Sequence, residues 1–169
     1  MTISGRAVLE LVPRIAGQEE DAVWFCGHCG VRPSLPGPPA TDARVCGSCG
    51  LGLLLETSAE GAPGAGEAFL VLDSSLSVCA VSSGAEQLLA TTETEAVNRH
   101  VTELLVPAQS EAQSDRALAA AVAWAARGEE EVQTVFVRPA NLFGVRMRAR
   151  IVHCGPPQAA LLVFEHSGR

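Results

Sequence analysis

Cys26-Gly27-His28-Cys29-Gly30 is answered further along the chain by Cys46-Gly47-Ser48-Cys49-Gly50. Each stretch is a Cys-x-x-Cys followed by glycine. The cysteines of a pair lie close enough for both thiolates to reach one ion, and the glycine supplies the open backbone that a tight turn around a metal needs. Two such pairs separated by a short, Pro-rich loop predict a tetrahedral four-thiolate site made by Cys26, Cys29, Cys46 and Cys49, a geometry that Zn²⁺ accepts readily. Four thiolates leave no open position for a substrate, so the expected role is structural, with one Zn²⁺ per chain.

The pattern reads as a zinc ribbon. An iron site of the rubredoxin kind uses the same paired cysteines and is the alternative for the metal. A thioredoxin-like redox pair would need a βαβ context around one Cys-x-x-Cys, and two pairs so close together argue against it. With four thiolates in place, His28 reads as a surface turn residue.

Around the knuckles, Ala22-Val-Trp-Phe-Cys26 predicts a strand entering the first and Leu51-Gly-Leu-Leu-Leu-Glu56 a strand leaving the second. Arg6-Ala-Val-Leu-Glu-Leu-Val-Pro13 predicts a further strand ended by its proline. The loop Arg32-Pro-Ser-Leu-Pro-Gly-Pro-Pro39 can form neither helix nor interior strand, since proline removes donors and fixes φ. These features divide the chain into a ribbon over 1–56, a flexible Gly/Ala/Pro-rich linker over 57–66, and a second domain over 67–169.

In that second domain the expected order is strand Ala68–Asp73, turn Ser74-Ser75 and strand Leu76–Val81. Next come a short helix capped by Ser82 or Ser83 and helical turns at Thr94–Val97 and Val101–Leu105, stopped by Pro107. Ser110–Arg127 is the longest helix candidate, ended by Gly128. Three strands follow at Glu131–Arg138, Phe143–Cys154 and Gln158–His166.

The middle one alternates, with Val145, Met147, Ala149 and Ile151 on one face and Arg146, Arg148 and Arg150 on the other. This arginine stripe is expected to be solvated and paired with Glu129, Glu130 or Glu131, with an anionic partner or ligand as the alternative. Phe69–Leu72 and Ala159–Phe164 are apolar on both faces. They belong at the centre of a sheet whose outer side must be covered, by the ribbon or by a second copy of the chain.

Strand, strand, short helices, long helix and three strands resemble a PAS domain. Phe69-Leu-Val-Leu-Asp73-Ser-Ser-Leu-Ser-Val78 is similar to that family's opening hairpin, with its Asp at the turn. Ala80-Val-Ser-Ser-Gly-Ala-Glu-Gln-Leu-Leu-Ala90 is similar to its first helix. Glu93-Thr-Glu-Ala-Val-Asn-Arg-His-Val-Thr-Glu-Leu-Leu105 is similar to the stretch ending in Glu-Leu. Ser82 stands where Asn is frequent, and Ala90 and Asn98 where glycine is usual. Asn98 can still take a positive φ, whereas Ala90 is expected to need a different turn.

The resemblance implies an α+β fold: a five-stranded antiparallel sheet with helices on one face, beside the small β ribbon. It also implies a sensory or dimerising role and a pocket between helices and sheet. Val97, Leu104, Leu118, Val122, Phe136, Met147 and Leu162 are the candidates for core or pocket lining. The cysteine motif of flavin-adduct PAS domains is missing, and the long helix holds no histidine, so neither flavin nor haem is expected and any pocket ligand is left unnamed. His100, ahead of that helix, is the weaker haem alternative beside a capping role. His153 and His166 read as solvent-facing. Cys79 reads as a small core residue, Cys154 as a strand-end thiol open to reaction, and the two as too far apart for a disulfide.

All 12 basic residues are arginine, which with the Ala, Gly, Val and Pro enrichment points to a GC-rich, bacterial genome. The net charge is −7. Residues 1–60 carry four Arg against seven acidic residues, and the rest eight against twelve. Phosphate contacts dominate nucleic-acid affinity, so so acidic a chain is a poor DNA or RNA binder. No apolar run approaches the ~20 residues of a membrane span, no secretory signal is visible, and thiolate ligands suit a reducing cytoplasm.

No nucleophile–base spacing, phosphate loop or helical His-Glu-x-x-His motif appears. The expectation is therefore a non-enzymatic regulatory protein: a homodimer that acts through an unidentified protein partner. The alternatives are a redox- or metal-responsive switch at the four cysteines and a transcription-associated zinc-ribbon regulator.

Overall fold

A computed structural model describes residues 22–108, 111–129 and 131–165. The strand expected at Arg6–Pro13 and His166 lie outside them, as does Glu130.

The ribbon is a two-stranded antiparallel sheet of β1 (Ala22–Cys26) and β2 (Leu54–Ser58), with Trp24 opposite Glu56 and Cys26 opposite Leu54. The exit strand starts later than expected because residues 51–53 are tied to the knuckles: the Cys46 N–H donates to the Gly52 carbonyl and the Gly27 N–H to the Leu53 carbonyl. A 3₁₀ turn, Thr41–Ala43, interrupts the loop between the knuckles.

The second domain contains β3 (Phe69–Leu72), β4 (Val78–Val81), α1 (Ser83–Leu89), α2 (Glu93–Ala96), β5 (Leu105–Pro107), α3 (Glu111–Ala125), β6 (Gln133–Pro139), β7 (Met147–Cys154) and β8 (Ala159–Glu165). Its antiparallel sheet runs β4-β3-β8-β7-β6-β5, with the helices on one face. This is the α+β, PAS-like architecture that the sequence implied, with one strand more than the expected five. The addition is β5. The predicted helical turn at Val101–Leu105 shortens to a 3₁₀ turn over Val101–Glu103, and Leu105 pairs instead with Pro139. Pro107 lacks an N–H to donate, which an edge strand tolerates.

Ser82 is the cap of α1. Its buried hydroxyl accepts from the Ala85 N–H at 3.2 Å and the Phe69 N–H at 2.8 Å, joining the helix start to β3. Ala90, expected to need another turn, closes α1 in the left-handed conformation that glycine usually supplies, at φ 49° and ψ 47°. Asn98 also takes positive φ.

Two cores result from the period of two along each strand. Leu70, Leu72, Ala160, Leu162, Val135, Val137, Ala149 and Ile151 meet the helices. On the opposite face, Phe69, Val71, Leu161, Val163 and Val152 are buried together with Phe25 and Leu55 of the ribbon. The ribbon therefore covers the outer side of the central strands.

Backbone bonds secure that seam. The Glu56 and Gly155 main chains exchange hydrogen bonds at 2.6 and 3.0 Å, and the buried Thr57 hydroxyl donates to the His153 carbonyl at 2.7 Å. Arg44 donates to the Pro156 carbonyl. Residues 57–66, expected as a flexible linker, start inside β2 and then pack: Ala62 is buried, and Arg32 and Arg150 both donate to its carbonyl. At Gly61 the backbone lies so close to Val152 that a Cβ would come within 2.5 Å of it.

The arginine stripe lies on the outer face as expected, but its partners differ. Arg148 meets Glu165 at 2.9 Å, the residue directly opposite on β8, and Arg150 meets Glu67 at 2.6 Å. Register explains the correction. Gln133 pairs with Ile151, which puts Glu129 and Glu131 beyond the reach of the stripe. Arg146 instead lies over the Phe136 ring, 4.0 Å from its centre.

Candidate metal centre

The four cysteines converge. Their sulfur atoms all lie within 4.8 Å of one another, with Cys26 and Cys49 at 3.6 Å and Cys29 and Cys46 at 3.9 Å. These are not disulfide distances, and all the cysteines are free. At a Zn–S bond of about 2.3 Å a regular tetrahedron sets sulfurs roughly 3.8 Å apart, so the donor set fits such an ion. A tetrahedron of four sulfurs also suits iron. A metal held by all four would have a closed coordination shell and a structural role.

The two knuckles share one local design. Gly30 N–H donates to the Cys26 carbonyl at 3.0 Å and Gly50 N–H to the Cys46 carbonyl at 2.9 Å, with both glycines at positive φ, 71° and 68°. Backbone N–H groups then point at sulfur: His28 and Cys29 at Cys26, and Gly52 at Cys49. The Gly52 and Leu51 N–H groups draw the Cys49 thiol down to about 6. Burial pushes the Cys26 thiol up to about 12. Gly52 has no room for a side chain, because a Cβ there would stand 2.4 Å from the Cys26 sulfur.

His28 is not the surface turn residue expected. Its carbonyl accepts from the Ser83 N–H at 3.3 Å, and its Nδ1 lies 3.3 Å from Glu93 Oε2, close enough for an ion pair though off the hydrogen-bond axis. The first knuckle thus touches the start of α1 and α2.

The pocket candidates divide. Leu104, Leu118, Val122 and Leu162 are buried in the helix-side core, Met147 packs at its margin, and Val97 is half-buried at the end of α2. Phe136 is a correction: the inward Val135 and Val137 force it onto the outer face. His100 caps the 3₁₀ turn, its Nδ1 accepting from the Thr102 N–H at 3.4 Å. His153 is not solvent-facing, since Nδ1 meets the Ala125 carbonyl at the end of α3 at 2.9 Å.

The two remaining thiols differ in exposure from what was expected, and burial together with the Asp73 charge holds the Cys79 thiol above its ordinary value. Leu72 pairs with Val78 and Val71 with Ala80, so Cys79 is the extra residue of a β-bulge. Val78 and Val81 can then both face the core while Cys79 is exposed. Cys154 is fully buried, and burial pushes its thiol up to about 12, far from the reactive thiolate form. Two strands separate β4 from β7.

A cleft opens between the exit of the second knuckle and the outer sheet face, with Leu51, Leu53, Leu55, Val71 and Ala159 along it. The sequence reading assigned nothing to Leu51 and Leu53 beyond strand. Their one signal is that large apolar side chains stand at a metal-knuckle exit where any residue would do.

No family model and no curated protein matches the sequence. The structure is similar to the crystal structure of the PAS domain of nitrogen regulation protein NR(II) from Vibrio parahaemolyticus, at 14% sequence identity and a TM-score of 0.43, over 59% of this chain and 88% of that one. It is also similar to the PAS domain of an HTR-like protein from Haloarcula marismortui, at 15% identity and a TM-score of 0.42, over 59% of this chain and 84% of that one.

Proposed function

We propose that this chain is a non-enzymatic signalling or regulatory protein: a PAS-like sensor or dimerisation domain, over 67–169, carrying a structural zinc ribbon. It works in a reducing cytoplasm as a homodimer and passes its signal to a protein partner, not to nucleic acid or membrane. The observation that carries this reading is the seating of the ribbon on the sheet. A closed four-thiolate site that backs the outer sheet face serves architecture, and it ties any change at the knuckles to the PAS-like domain. Among the described residues no helix is long and apolar enough to cross a membrane.

Native mass spectrometry of protein purified without added metal tests the proposal. A dimer with one zinc per chain is the expected result. A monomer at micromolar concentration would remove the dimerisation role, and iron in place of zinc would change the metal assignment.

One observation favours a second reading, a redox- or metal-responsive switch. Cys29 is exposed and Cys49 half-exposed, within reach of an oxidant. Mild peroxide would then release the metal and alter assembly before general unfolding. Metal retained until the fold melts would dismiss the switch.

A further inference from the structure

The cleft beside the metal centre has a volume of about 440 Å³, within the roughly 300–1,000 Å³ of small-molecule sites. Its floor is apolar and buried: Leu55 is 7% exposed, Val71 3% and Ala159 5%. Its wall is apolar and open, with Leu51 74% and Leu53 49% exposed. Apolar side chains scattered over a surface need no explanation, but two leucines converging on a concavity with an apolar floor mark a place where something binds.

The charged groups of the lining select the ligand. They are Asp73 and Glu93, with no arginine among them; His28, Cys79 and Gln158 are the other polar side chains of the lining. Asp73 Oδ1 accepts from the Ser75 and Ser77 N–H groups at 2.8 and 2.9 Å, and Oδ2 has no partner among the described residues. Glu93 Oε1 accepts from the Val81 N–H at 3.2 Å, and Oε2 faces His28. The lining therefore holds two carboxylates and no arginine, a balance that repels an anion and attracts a cation or a strong donor. A chain of net charge −7 adds a long-range field of the same sign.

We infer that this cleft is a binding site for a small amphiphilic cation. The apolar body lies on Leu51, Leu53, Leu55 and Val71, and a protonated amine is directed to Asp73 and Glu93. The site lies on the outer face of the sheet, between ribbon and strands, and not between helices and sheet where the PAS resemblance implied a pocket. A ligand there touches Gly27 and His28 of the first knuckle, Leu51 and Gly52 of the second, and β3 and β4. Its occupancy strengthens the seam between the metal centre and the sheet.

The site goes beyond the signalling role and does not depend on it, because the binding test below reads the cleft alone. Full-length, zinc-loaded protein with labelled methyl groups is titrated with 4-phenylbutylamine and, separately, with 4-phenylbutyrate, which matches it in shape and carries the opposite charge. The amine is expected to shift the methyl signals of Leu51, Leu53, Leu55 and Val71 at submillimolar concentration, about tenfold more tightly than the carboxylate. Leu51→Arg, at an exposed position, and Asp73→Asn, which keeps the turn acceptor but removes the charge, should each weaken the amine several-fold at unchanged zinc content. Three results would overturn the inference: no shift of these methyls at millimolar amine, equal affinity for the carboxylate, or unaltered amine binding in both variants.

Discussion

The rings of Phe25 and Phe69 meet edge to face, with centroids 5.7 Å apart and planes at 85°. Phe25 stands one residue before Cys26, the first cysteine of the cluster, and Phe69 opens the first strand of the PAS-like sheet, so this contact joins the four-cysteine cluster to the sheet. Both rings are buried, at 0% and 1% exposure. Such a pair adds about 0.5–1.5 kcal/mol to what burial alone contributes.

Phe25→Ala empties the centre of the outer core, and the expected loss is about 3–5 kcal/mol. Urea denaturation measures it. A loss under about 1 kcal/mol would mean that the ribbon contributes little to the stability of the sheet.

Gly52→Ala should abolish metal binding, because its Cβ would collide with the Cys26 sulfur at 2.4 Å and with the His28 backbone. Gly47→Ala, in the same knuckle with nothing within 4 Å, should bind a full equivalent. Metal content by elemental analysis separates them, and equal content in both would contradict the close approach.

Alkylation of native protein at pH 8, mapped by peptide mass, should modify Cys79 and spare Cys154. Because burial favours the neutral Cys154 thiol, its folded pKa lies above the unfolded one. Its contribution to stability is whole below the ordinary thiol value of 9.0 and fades as pH rises towards about 12. Modification of Cys154 at the rate of Cys79 would show that its cover opens.

Ala90→Gly should stabilise the protein by about 1 kcal/mol, because Ala90 holds a left-handed conformation that disfavours a Cβ. A shift in the urea midpoint at constant slope is the measurement. An unchanged or lower midpoint would mean that the unfolded-chain entropy added by glycine offsets the relief.

Much of the secondary structure was legible because it follows from local rules. The paired Cys-x-x-Cys spacing brings sulfurs together whatever surrounds them, and Ser82 before an apolar helical run is an N-cap by chemistry alone. Strand alternation put the arginines of β7 on one face. Where these rules misled, strand pairing intervened in three places. A bulge at Cys79 shifted the alternation of β4, so a residue read as core became exposed. The pairing of Leu105 with Pro139 turned the end of an expected helical turn into an edge strand. The β6–β7 register moved the arginine stripe away from Glu129 and Glu131 and towards Glu165 and Glu67.

Sequence alone determined the knuckle design, the pairing of four cysteines, most of the order of elements and the need for a cover over the apolar outer strands, since each is a property of spacing or composition. Only the tertiary structure decided what the cover is. Ribbon and second copy answer the same hydrophobic demand, and no local pattern distinguishes them. The ribbon's place came from complementarity at separated positions: Phe25 on Phe69, Thr57 on the His153 carbonyl, and Gly61 against Val152. The cleft belongs to the same class, because Leu51 and Asp73 share it only once the ribbon has settled on the sheet.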